Sequence, residues 1–146
     1  MAKRFTDTSI WDDDWFYELS HEYKLFWFYI KDNCDHAGIW KPKTKAFKAV
    51  TDIEIDLNKA LLYFNMNKQR VRLLDNGYWF LEDFFYFQYT KTSKSINLNS
   101  KVHKSVFNIY IKMNIPISSI KGVDFVISEN GEQFNTYDYE NIIGKF

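Results

Sequence analysis

Cys34 and His36, flanked by Asp32 and Asp35, come nearest in residue type to a metal site. A structural zinc site needs a second Cys/His pair at a matching spacing, and this chain has one cysteine and three histidines in all. The segment Cys34-Asp35-His36-Ala37-Gly38 reads instead as a helix-end turn, with Gly38 free to take positive φ. Asp12-Asp13-Asp14 could hold Mg²⁺ for phosphoryl chemistry, but no second carboxylate cluster stands at a useful distance. Acids just before Trp15-Phe16-Tyr17 instead suit the positive end of a helix dipole. Ser20-His21-Glu22 are sequence neighbours and cannot form a nucleophilic triad among themselves. A glycine-rich phosphate loop is also missing. The expectation is a protein with no catalytic residues, no metal and no cofactor.

What remains is charge. The chain is neutral overall, with 19 basic and 19 acidic side chains, yet the signs are segregated. Residues 1–40 carry four basic and eight acidic groups; residues 41–72 carry eight and three. Residues 73–90 carry none and three, residues 91–121 six and none, and residues 122–146 one and five. A basic block that forms a patch matters more for a polyanion than net charge does, although such runs are also found as solvated faces without a partner. The candidate DNA-binding residues are Lys68, Arg70 and Arg72 on one edge of a hairpin, Lys91 and Lys94 in a polar loop, and Lys101, Lys104 and Lys112 on a helix. About six neutralised phosphates would give a log–log salt slope of roughly −5. His103 sits among these cations, either touching phosphate or buried as a structural histidine. Trp11, Trp79 and Tyr86 are candidates to stack single-stranded bases, but with 29 aromatic residues (14 Phe, 10 Tyr, 5 Trp) most must be core.

The elements that position these groups can be read along the chain. Ser20 is a candidate N-cap for a helix from His21 to about Asn33, apolar on nearly every side: Tyr23, Phe26, Trp27 and Ile30 on one face, Leu25, Phe28 and Tyr29 on another. Such a helix is either fully buried or partly given to a partner. Ile39-Trp40 is short and extended, residues 43–50 form a short helix, 52–56 alternate as a strand would, and Asn58 can cap a helix over 59–64. Lys68–Leu74, Asp75-Asn76-Gly77 and Tyr78–Glu82 read as a hairpin with a tight two-residue turn. Asp83–Tyr89 is ambiguous by period, residues 90–100 read as a polar loop, and Lys101–Met113 is an amphipathic helix. Its apolar stripe is Val102, Val106, Ile109, Tyr110 and Met113, with Lys101, Lys104, Asn108 and Lys112 opposite. Val123–Ile127 with Asn130-Gly131 hints at a second hairpin. The order fits an α+β, mainly α, fold: a winged helix (helix-turn-helix core with a β-hairpin wing) plus an additional C-terminal amphipathic helix. The expected division is residues 1–115 for that domain and 116–146 for an acidic tail or short hairpin extension.

One cysteine excludes an intrachain disulfide and fits a reducing compartment. The longest apolar run, Leu25–Ile30, is too short to span a bilayer, and Met1–Asp7 lacks the apolar stretch of a secretory signal. A cytoplasmic protein without a membrane partner is expected.

A family resemblance runs through several of these stretches. Lys3–Thr8, Trp11, Trp15-Phe16, Leu19-Ser20, Tyr23-Lys24-Leu25 and Asp32–Trp40 resemble the opening of phage and prophage replisome-organiser or replication-initiation proteins. So do Leu73–Phe80, Phe87-Gln88-Tyr89 and His103-Lys104-Ser105-Val106. The resemblance covers roughly residues 1–113 and implies an N-terminal winged helix. It further implies a role in phage DNA replication, either binding origin or primosome DNA, duplex or single-stranded, or docking a replicative helicase or its loader. It does not imply catalysis. The helix expected to read bases, near 58–65, carries Lys59 as its one cation, so phosphate contacts that position rather than specify are expected. The alternative from another class is an assembly module that uses the same scaffold for self-association or for docking a replication partner.

Overall fold

Short polar residues stand at the helix starts, some capping with their side chains and some with their backbone alone. In a computed structural model, which describes residues 3–90 and 94–142, helix α2 (His21–Asn33) starts directly after Ser20, whose backbone is extended. The helix expected behind Asn58 starts earlier. Asp56 is its N-cap, its carboxylate accepting from the N–H groups of Asn58 (3.0 Å) and Lys59 (3.2 Å), so α4 spans Leu57–Phe64. The alternating stretch 52–56 forms no strand. Asp52 takes φ 62° to end α3 (Lys45–Thr51), and the Thr51 hydroxyl ties the exit by donating to the Phe47 carbonyl and accepting from Ile53 N–H. The chain divides into two compact units, Met1–Glu82 and Asp83–Phe146.

In the first unit, α1 (Asp14–Tyr17) and α2 are followed by β1 (Ile39–Trp40), α3, α4, β2 (Val71–Leu73) and β3 (Trp79–Leu81). The three strands form one antiparallel sheet in the order β1-β3-β2, with Phe80 opposite both Ile39 and Arg72. The hairpin is present, but its loop has three residues. Leu74 and Tyr78 pair across it, Gly77 N–H reaches the Leu74 carbonyl at 2.9 Å, and Gly77 sits at φ 86° while Asn76 keeps negative φ. This is a type I turn closed by a left-handed glycine, in place of the two-residue turn expected from Asn-Gly. The core is aromatic. Fully buried Phe26 packs against Trp40 (5.6 Å), Phe47 (5.3 Å), Phe64 (6.2 Å) and Trp79 (6.3 Å). Helix α2 is thus apolar on most sides because most sides face this core, with Leu25 left about half exposed.

In the second unit, β4 (Ser95–Asn97), α5 (Lys101–Lys112), β5 (Phe125–Ile127), β6 (Gln133–Asn135) and α6 (Thr136–Ile142) build a second sheet with two helices. Its order is β4-β5-β6; β4 and β5 are parallel with α5 between them in sequence, and β5 and β6 are antiparallel. β4 lies in the stretch expected to be a polar loop. Ile96 supplies its one fully buried apolar side chain, opposite Val126, too little signal for a periodicity argument. The ambiguous segment after Asp83 is helical and widens into a π-turn at Tyr86–Thr90. The weakly signalled second hairpin is β5–β6. The expected boundary near residue 115 falls inside this unit, to which the acidic segment contributes β5, β6 and α6. The overall class is α+β. Among the described residues no helix is long and apolar enough to cross a membrane.

The passage from α4 into β2 is held by Asn65. Its Oδ1 accepts from the backbone N–H of both Arg70 (2.8 Å) and Val71 (2.9 Å). Asn65→Ala leaves two partly buried donors without an acceptor and is expected to lower stability by about 1–3 kcal/mol, whereas Asn58→Ala, on the exposed face, should stay within about 0.5 kcal/mol. All five tryptophans lie in the first unit, so urea unfolding followed by tryptophan fluorescence reads this effect there. Equal midpoints for the two variants would contradict the assignment.

Candidate nucleic-acid interface

α5 is amphipathic, one side buried and the other basic. Ser100 caps it, its hydroxyl accepting from His103 N–H at 3.3 Å. Val106, Phe107 and Tyr110 are buried, Ile109 and Met113 are half-buried, and Val102 of the expected stripe stays about half exposed. Lys101, Lys104, Asn108 and Lys112 are all exposed. With Ser105 and Ile109 they line a shallow, open depression of about 450 Å³. Eleven residue steps of helix separate Lys101 from Lys112, roughly 16 Å at about 1.5 Å per residue, close to the rise of about five base pairs along one strand. The helix ends where Asn114 takes φ 59°, before Pro116. Lys104 pairs with Glu129 from the β5–β6 turn. Among the described residues neither Lys101 nor Lys112 has a carboxylate partner. Lys94 is exposed at φ 53°, its carbonyl accepting from Asp124 N–H at 2.8 Å where β4 meets β5. Lys91 lies outside the described residues.

The hairpin cations are placed differently from the alternation that put them on one edge. Arg70 turns back onto the end of α4: its Nη1 donates to the carbonyls of Phe64 (3.2 Å), Met66 (2.8 Å) and Lys68 (3.4 Å), and its guanidinium lies over the Trp15 ring at 4.0 Å. Helix C-termini leave carbonyls without intrahelical partners, and a guanidinium with several donors satisfies them. Arg72 makes a two-pronged pair with Glu82, Nε to Oε2 at 2.7 Å and Nη2 to Oε1 at 2.8 Å, over the Phe80 ring at 5.2 Å. Lys68 is exposed. Sequence reasoning missed both arginine partners; the cross-strand placement of Glu82 was the available signal for Arg72.

Other candidates have structural roles. Asp35 closes the turn after α2, its Oδ1 accepting from Ala37 and Ile39 N–H, both at 2.9 Å. Cys34 is buried with its thiol pushed up to about 11, chiefly by that burial. The Arg4 guanidinium donates to the Cys34 carbonyl at 2.8 Å. Among the described residues no cluster of His, Cys, Asp and Glu could hold a metal ion. Asp12, Asp13 and Asp14 are exposed, and Asp14 begins α1. Trp79, a stacking candidate, is buried in the core at 2 % exposure and has no face to offer a base. Trp11 is exposed and leans on Phe16 and Phe28, while half-buried Tyr86 lies under Lys121 at 5.5 Å.

His103 joins α5 to β4. Its Nδ1 accepts from Asn97 N–H at 3.0 Å, and its ring packs edge-on against Phe85 (5.5 Å) and Tyr89 (5.8 Å). The accepting form is the neutral ring, and burial lowers its pKa. No family model matches this chain, and comparison with curated proteins and with solved structures finds no match.

Because the folded-state pKa of His103 lies below the unfolded value near 6.5, the unfolded chain binds more protons as the pH falls. The stability this residue lends is therefore complete above about pH 6.5 and is lost as pH falls below it. An NMR titration should place the His103 midpoint below 6.5, and protection of the Asn97 amide against hydrogen exchange should decline with it. A midpoint at or above 6.5 would contradict this role.

Proposed function

We propose that the chain is a non-enzymatic DNA-binding protein of phage or prophage replication whose phosphate contacts come mainly from α5. The observation that carries this reading is the single exposed face holding Lys101, Lys104, Asn108 and Lys112. Lysines without base-edge partners neutralise phosphates and fix orientation; they do not read sequence. Lys94, in the same unit, is an additional exposed contributor. Arg70 and Arg72 contribute less than their charge suggests, since phosphate would have to displace the Phe64 and Met66 carbonyls or the Glu82 carboxylate.

The first unit supports a winged-helix reading by its order of elements. α2, β1, α3 and α4 precede a hairpin, and β1 completes the sheet in the order β1-β3-β2. In that reading α4 occupies the recognition position. Its exposed residues are Asn58, Lys59, Leu62 and Tyr63, followed by Met66, a poor set for base edges. The replication role follows from the resemblance described above. The same unit also favours a second reading, an assembly module docking a second copy or a replicative helicase or loader. Among the described residues, nine of the twelve exposed large hydrophobic side chains belong to the first unit, Val50 at 85 % and Leu62 and Tyr17 at 70 % among them.

Four lysines, Lys94, Lys101, Lys104 and Lys112, replace the six contacts counted from the sequence. The log–log salt slope expected from four phosphates is about −3.6 on duplex and about −2.8 on single strands. Fluorescence anisotropy titrated with salt measures it, and Lys101→Glu with Lys112→Glu should weaken binding more than tenfold at low salt on any sequence. Absence of binding by the wild-type chain to either DNA at low salt would end this reading.

A further inference from the structure

The β5–β6 turn is built to hold an acid against the basic face of α5. Ser128 and Glu132 close it, Ser128 N–H donating to the Glu132 carbonyl at 2.8 Å and Gly131 N–H to the Ser128 carbonyl at 3.0 Å. Gly131 sits at φ 88°, a conformation that favours glycine. The turn is also tied to the start of α5, since Asn99 Nδ2 donates to the Ser128 carbonyl at 3.1 Å. Asn99 in turn is fixed by its N–H on Asn97 Oδ1 at 3.0 Å. The carboxylate thus presented is Glu129, and it pairs with Lys104. The other acid of the turn, Glu132, accepts from Asn130 Nδ2 at 3.2 Å.

We propose that Glu129 is an internal stand-in for phosphate, which occupies Lys104 in the free protein and must leave before Lys104 can take a backbone phosphate. This rests on the nucleic-acid reading of α5 given above. Two features make the competition graded rather than a block. Lys101 and Lys112 flank Lys104 on the same face without carboxylate partners among the described residues, so a strand can seat on them first. Both members of the Lys104–Glu129 pair are more than half exposed, and exposed pairs are worth little. The exchange shows in affinity and not in salt slope: a phosphate taken by Lys104 releases its condensed counterion whether or not Glu129 held the lysine first, and a lone freed carboxylate condenses none.

The test is duplex binding by anisotropy across a salt series, for the wild type, Glu129→Gln, Glu132→Gln, Lys104→Gln and the double variant Glu129→Gln/Lys104→Gln. Glu129→Gln should tighten binding about two- to fivefold at low salt, the amount an exposed ion pair is worth, with the slope little changed. Glu132→Gln should gain less, and the Glu129→Gln gain should vanish in the Lys104→Gln background. Salt-sensitive binding by the wild type with an unchanged Glu129→Gln overturns the latch and leaves the DNA reading intact. A gain that persists without Lys104 overturns it as well, being the effect of net charge alone. If neither wild type nor Glu129→Gln binds, the DNA reading fails and the latch with it.

Discussion

Phe26 is the point at which the N-terminal unit is joined. Its ring leaves α2 and meets one aromatic ring from each of β1, α3, α4 and β3. Ring pairs of this kind add about 0.5–1.5 kcal/mol each beyond the area they bury, so one side chain draws on four of the five later elements of the unit. Short strands of two and three residues suffice here because their side chains, Ile39, Trp40, Trp79, Phe80 and Leu81, are all buried, Trp40 and Trp79 against Phe26 itself. An aromatic core also sets rules for polar groups at its margin. The carbonyls at the end of α4 and the first N–H groups of β2 are partly shielded, and Arg70 and Asn65 are the groups that satisfy them.

That rule separates the two sets of cations. In the first unit the arginines are drawn inward by unsatisfied acceptors and by Glu82, and they stabilise the fold. In the second unit the hydrophobic face of α5 is Val106, Phe107 and Tyr110, and nothing there requires a cation. The lysines of α5 are left on the solvent side along roughly 16 Å of helix. A protein of zero net charge can therefore still present a cationic stripe, because its acids lie largely elsewhere, with Glu129 the exception on that stripe.

Much of this could be read in the residues before the structure. Ser20 before an apolar run, Asn76-Gly77 between two strand-like segments and the 3.6-residue period of 101–113 each marked its element, since each signal is local. The misses came where tertiary context decides. β4 has one buried apolar side chain and becomes a strand through its pairing with β5. Trp79 is indistinguishable from Trp11 by type, yet one is core and the other exposed. Arg70 and Arg72 alternate with apolar residues as a cationic edge would, but no periodicity shows that Phe64, Met66 and Glu82 supply acceptors within reach. Of the candidate interface, the α5 lysines were legible from spacing; the carboxylate set against Lys104 was not, because it arrives from 25 residues away.

The central claim is that α5, and not the hairpin or α4, is the surface that meets a phosphate backbone. Mapping backbone amide shifts of the isotope-labelled chain during titration with a short DNA duplex tests it most directly. The account predicts that the largest changes fall at Lys101–Lys112 and in the turn 128–131, with Val71–Leu81 little affected. Changes concentrated on Asn58–Met66 or on the hairpin, with α5 unmoved, would contradict it.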